Sequence, residues 1–248
     1  MLHFILGAII GSVMGLTGAG GALISIPLFM HFLQMDLKDA SVYSLSAVIF
    51  ASGINYLMQF KNAKIKETLV IVLVSGFGSY IVSPWKSQLS NWIIIVLLLG
   101  ISLFALINVW SKKTPEKKSI QSSTSTYYYG VLIISGLVLG ILTTFTGLGG
   151  GVLMVPVMLR FLHFSQKQAI ASSLLAVAIS STFSLLVQIY HGFHFSMDIH
   201  TALLFLGMFV MALLLKFLLK HVSSHRMLLI QRIVFSLVVF ISWIKLLN

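Results

Sequence analysis

Two short clusters of small residues hold the chain's best candidates for chemistry. They are Thr17, Gly18, Ala19, Gly20 and Gly21, leading to Pro27, and Thr146, Gly147, Leu148, Gly149, Gly150 and Gly151, leading to Pro156. Matching residues lie 129 positions apart, and each cluster sits inside an apolar stretch. The chemistry open to such a cluster is recognition of an anion by the main chain. A helix starting at Gly20 or Gly149 presents unpaired N–H groups and the positive end of its dipole, and glycine lets a ligand approach them because no Cβ intervenes. Thr17 and Thr146 would add a hydroxyl. A dinucleotide or Walker-type phosphate loop is excluded, because no Lys-Ser/Thr pair follows the glycines and both flanks are apolar.

A second set of polar residues follows each cluster: Ser44, Ser46, Ser52, Asn55 and Gln59, then Ser172, Ser173, Ser180, Ser181, Thr182, Ser184 and Gln188. A lone Ser or Thr in a membrane helix ordinarily bonds its own backbone carbonyl. The stronger candidates are therefore those matched between the clusters, Ser44 with Ser173, Ser52 with Ser181 and Gln59 with Gln188. The acidic residues Asp36, Asp39, Glu67, Glu116 and Asp198 all fall in loops or at segment ends. With no carboxylate expected at the membrane centre, an anionic substrate is favoured and ion coupling is left without a carrier. No His-carboxylate pair, Ser-Lys pair or metal-ligand cluster is present and cysteine is absent, so an enzyme, a metal and a cofactor are not expected.

The elements that must position these residues follow from composition. Hydrophobic residues make up 58% of the chain and charged residues 8%, with a mean hydropathy of +1.03, which identifies an all-α integral membrane protein. Apolar stretches run at about 4–33, 40–60, 68–84, 91–110, 128–163, 168–190, 199–220 and 227–247, giving eight hydrophobic segments at about 20 residues per crossing. Met1-Leu2-His3 lacks the basic start of a signal peptide, so the first segment is read as part of the fold. A basic polar linker, 111–127, separates a first membrane repeat, 1–110, from a second, 128–248. Aligned without gaps, residues 7–60 match 136–189 at 18 of 54 positions, so the halves are homologous repeats. Gly7, Gly11 and Gly15, and Gly136 and Gly140, stand at GxxxG spacing and read as helix-packing positions.

The first segment of each half, about 4–33 and 128–163, is too long for one ordinary crossing and is expected to be a broken helix or a re-entrant hairpin. Net charge is +11, and the basic residues lie between segments, where they set topology rather than bind nucleic acid. Eight simple crossings would divide Lys and Arg eight against eight. Two re-entrant hairpins would divide them thirteen against three, with Lys38, Lys86 and Lys245 on the poorer side, and would put the linker inside the cell. An odd number of crossings then separates the repeats, which makes them inverted.

The duplicated Thr-Gly-x-Gly-Gly…Pro segments, the eight apolar stretches and the basic linker resemble the sulfite exporter TauE/SafE family of membrane permeases over essentially the whole chain. The resemblance implies transport of sulfur-containing anions, such as sulfite or organosulfonates, across a prokaryotic cytoplasmic membrane. The expected mechanism is alternating access around a midplane site. Amides at Gly20, Gly21 and Ala22 and at Gly149, Gly150 and Gly151 would hold the anion, flanked by Gly18 and Gly147, with Thr17, Thr146, Ser44, Ser173, Ser181, Gln59 and Gln188 shaping the pocket. Ala22 stands where the second repeat has Gly151, so the half-sites need not be equivalent. The expected partners are a small anion and the lipid bilayer; a proton or sodium ion is an open choice for coupling, and a homodimer an open choice for assembly. A passive anion channel, a carrier of another small organic anion and a non-transporting scaffold remain alternatives.

Overall fold

The structure, a computed structural model, describes residues 1–17, 21–110, 125–193 and 197–218, with isolated positions between 233 and 244. All regular structure among the described residues is helical: α1 (Leu2–Thr17), α2 (Gly21–Phe32), α3 (Leu37–Gln59) with a 3-10 turn at Phe60–Asn62, α4 (Ile65–Lys86), α5 (Asn91–Trp110), α6 (Ser125–Thr146), α7 (Gly151–Arg160), α8 (Gln166–Tyr190) and α9 (Ile199–Leu218). The segments carrying α3, α4, α6 and α8 are long and apolar enough to cross a membrane. Most of the linker, at 111–124, and nearly all of the expected segment 227–247 lie outside the described residues. The long segment 128–163 is two helices parted at the glycines 147–150, α1 and α2 stand on either side of residues 18–20, which lie outside the described residues, and Pro27 and Pro156 sit inside α2 and α7.

Beside an apolar core, the structure buries many hydroxyls and exposes large apolar side chains. Large apolar side chains such as Leu73, Phe77, Tyr80, Trp92 and Leu186 are exposed, whereas Ser44, Ser79, Thr144, Ser180 and Ser184 are buried. In lipid the outer face gains nothing by hiding apolar side chains. Helices instead associate through small residues that let backbones approach, and through hydroxyls that find partners inside.

Helices from the two halves of the chain pack across one another. A Cβ added to Gly7 would strike the main chain of Leu204 and one added to Gly11 that of Met208, so α1 lies along α9. In the same way Gly136 meets Ile71 and Gly140 meets Ser75, so α6 lies along α4. Thus α1, from the first half of the chain, packs on α9, and α6, from the second half, packs on α4. In both contacts residue numbers rise together, so each pair is parallel.

The central pair, α3 and α8, is antiparallel. The Lys64 N–H, just past the end of α3, donates to Ser172 Oγ near the start of α8 at 2.8 Å. At the opposite end Lys86 Nζ links Ser41 at the start of α3 to Gln188 near the end of α8. The ends of α6 and α8 also coincide, with Thr144 Oγ1 3.3 Å from Ser184 Oγ. Between them α7 returns along α6, since the apolar groove they form runs from Tyr127 and Phe161 at one end to Leu139 and Gly150 at the other. The turn into α8 is fixed by a capping box: Gln168 N–H donates to Ser165 Oγ and Ser165 N–H to Gln168 Oε1.

Candidate functional site

The α6–α7 break is a tight turn of left-handed residues, Gly147 at φ 69°, Gly149 at 67° and Gly150 at 63°. Only glycine holds this conformation repeatedly at little cost. Space demands glycine as well. A Cβ on Gly149 would come within 2.5 Å of Val48 and 3.1 Å of Val177, which are themselves equivalent residues of the two repeats. The tip therefore sits between α3 and α8 at mid-length of both. Thr146 fastens the turn by donating to Leu142 O at 2.6 Å and accepting from Leu148 N–H at 3.3 Å.

Gly150 is the N-cap of α7, and its left-handed backbone supplies no side chain to bond the first turn. The Leu153 and Met154 N–H groups reach Gly150 O, while those of Gly151 and Val152 precede any acceptor the helix could provide. Two hydroxyls stand beside this end. Ser181 Oγ is 3.0 Å from a Cβ placed on Gly149, and Thr143 Oγ1 is 3.3 Å from one placed on Gly150. Both residues are fully buried, and neither hydroxyl has a hydrogen-bond partner. Buried hydroxyls are ordinarily paired, and each unpaired one costs about 1–3 kcal/mol.

Ser44 ties the tip to the rest of the first repeat. Its hydroxyl lies 2.7 Å from Ser25 Oγ of α2 and 3.1 Å from Gly147 O. Beyond it is a charge that sequence reasoning assigned to topology alone: Lys86 is fully buried. Its ammonium donates to Ser41 Oγ at 2.6 Å and to Gln188 Oε1 at 2.5 Å, and lies 5.1 Å from the centre of the Phe193 ring. Gln188 in turn donates to Thr144 O at 3.4 Å. A lysine closing an apolar segment looks like an interfacial residue, and no local signal distinguishes it from one folded inward.

The expected site residues therefore divide. Gly147, Gly149, Gly150, Gly151, Thr146, Ser44 and Ser181 gather at the tip, and Gln188 joins them through Thr144. Ser173 bonds its own helix at Ile170 O, and Gln59 is half-buried at the far end of α3 from Gln188. Ser52 likewise bonds back to Val48 O. In the first repeat Gly21 and Ala22 open α2 and Thr17 ends α1, while Gly18, Gly20 and the Thr17 and Ala22 side chains lie outside the described residues. Among the described residues no cluster of His, Asp or Glu could hold a metal ion.

Comparison with known proteins places the chain in a wider group. The model of a family described as Sulfite exporter TauE/SafE matches residues 3–246. The chain is 31% identical to the "Probable membrane transporter protein YunE" of Bacillus subtilis (strain 168), over 71% of this chain and 73% of that one. It is 25% identical to the "Probable membrane transporter protein MJ0441" of Methanocaldococcus jannaschii, over 73% and 68% of the two chains, and 24% identical to a "Probable membrane transporter protein" of Xylella fastidiosa, over 77% and 74%. No solved structure matches the chain.

Proposed function

The chain belongs to the sulfite exporter TauE/SafE family, and from that premise we propose that it is a permease for small sulfur-containing anions, such as sulfite or organosulfonates, working by alternating access around the glycine-rich breaks. It is a multi-pass membrane transporter by its family, its relatives and its apolar helices. The observation that carries the substrate reading is the start of α7. The first-turn amides of α7 lack helix acceptors, and the unpartnered hydroxyls of Ser181 and Thr143 stand beside Gly149 and Gly150 at mid-length of the central helices. An oxyanion supplies acceptors to both sets of donors, and the positive end of the α7 dipole favours its charge. The Thr17–Ala22 break supplies the matching half-site.

We read the repeats as inverted, with the first segment of each as a re-entrant hairpin. Three relationships support this reading: α3 and α8 are homologous yet antiparallel, α6 and α8 are parallel with α7 reversed between them, and the exchanged pairs α1–α9 and α4–α6 are each parallel. Lys61, Lys64, Lys66 and Lys167 then share one end of the bundle, which faces the cytoplasm of the cell. Two such repeats can rock about the α3–α8 crossing and open the tip to either side.

Purified protein in proteoliposomes tests the reading. Sulfite or methanesulfonate uptake should saturate and show counterflow. Conductance without saturation would favour a channel, and the absence of flux for every small oxyanion tried would remove the transport proposal.

A further inference from the structure

Building on the anion reading, we propose that Lys86 is the charge-selecting residue of the substrate site, its buried ammonium receiving the anionic oxygens of the substrate beside the Gly147 tip. Neutral groups hold the ammonium in place. Ser41 donates its own proton to Lys38 O at 2.6 Å, so its oxygen faces Lys86 as an acceptor, and Gln188 presents Oε1 while its Nε2 serves Thr144 O. Two of the three ammonium protons are thereby used, and the third remains for a ligand. Asp39 and Lys38, in the first turn of α3, are the nearby formal charges, and they act on Lys86 with opposite signs.

The lysine is joined to the tip through one shared neighbour. Ser41 bonds Lys86 and also packs on Gly147, where an added Cβ would come 2.9 Å from the Ser41 Cβ. One turn before Lys86 on the same face of α4, Ser83 is buried with its hydroxyl unpartnered. A charge and an unpaired hydroxyl buried together are expensive in isolation and are matched by an oxyanion, which neutralises one and accepts from the other. The site would therefore favour a compact monoanion with several acceptor oxygens over a neutral molecule of the same shape. A lysine at a helix C-terminus also complements the helix dipole, and that purely structural role makes the opposite prediction for stability.

The test compares Lys86→Met, Lys86→Arg and the wild type by thermal unfolding in detergent, with and without sodium sulfite or sodium methanesulfonate, alongside flux in proteoliposomes. Wild type should be stabilised by one of these anions. Lys86→Met should unfold at or above the wild-type temperature without anion and lose anion affinity by at least about thirtyfold, while Lys86→Arg retains part of it. A Lys86→Met protein that melts lower without anion, or keeps the anion-dependent shift, overturns the proposal. If wild type carries the anions while Lys86→Met still binds them, transport stands and the role of Lys86 falls; if wild type neither binds nor carries them, both fall. Gln188→Leu, which keeps the charge and loosens its placement, should show an intermediate loss, and full affinity in that variant also counts against the proposal.

Discussion

Gln34 and His163 stand 129 positions apart and hold the same left-handed backbone, at φ 54° and 53°. Each closes a half-helix with the same turn, in which Met35 N–H reaches back to Phe29 O at 3.4 Å and Phe164 N–H to Met158 O at 3.0 Å. A non-glycine residue in this conformation costs about 1–2 kcal/mol. His163→Gly is therefore expected to raise the unfolding temperature, stabilising the protein by about 1 kcal/mol. Gln34→Gly should gain less, because the Gln34 side chain donates to His31 O at 2.7 Å and that bond is lost. Differential scanning fluorimetry of both variants checks the order.

Ser181→Ala and Thr143→Val remove unpartnered hydroxyls without opening a large cavity. Each variant is expected to be as stable as wild type or more so, because a buried group without a partner is a liability. If these hydroxyls bind substrate, transport should fall about tenfold in each, the usual scale for a hydrogen bond to a charged ligand. Unchanged flux in both variants would show that the hydroxyls lie off the substrate path.

The helix-contact glycines should separate from the open ones. Gly140→Ala forces a methyl against the Ser75 main chain and should destabilise by about 1–3 kcal/mol, as overpacking of a tight contact does. Gly53→Ala and Gly100→Ala meet nothing within 4 Å and should leave the unfolding temperature unchanged or slightly higher. Equal losses at all three positions would contradict the contact geometry.

Ser44→Ala breaks the links to Ser25 and to Gly147 O together. Loss of about 1–2 kcal/mol is expected, together with a transport defect, because the tip is no longer fastened to α2 and α3. A stability loss with normal flux would mean that the tip keeps its position through Thr146 and the packing at Val48 and Val177.

The break between α6 and α7 was legible in the sequence because it is local: Gly149 with Gly150 announces a left-handed turn wherever it sits. Residue roles within matched pairs were not legible. Ser52 satisfies itself on Val48 O, while its equivalent Ser181 is unpartnered and stands beside Gly149. Gln188 meets Lys86 while Gln59 lies at the other end of the bundle, since antiparallel helices carry equivalent residues to opposite ends. Lys86 escaped notice for the same reason: its partners come from α3 and α8, far away in the chain, and nothing beside it in sequence marks the pocket.

The packing of helices across the two halves of the chain also governs how the protein is made. Among the described helices α1 is made first, and its glycine ridge at Gly7 and Gly11 must wait for α9, the last of the labelled helices to emerge. The first half of the chain, on leaving the ribosome, thus still carries an open seam along α1. Assembly is completed only after the second half arrives, so the two halves expressed as separate chains should recover each other in the membrane, and either one alone should be cleared by quality-control proteolysis.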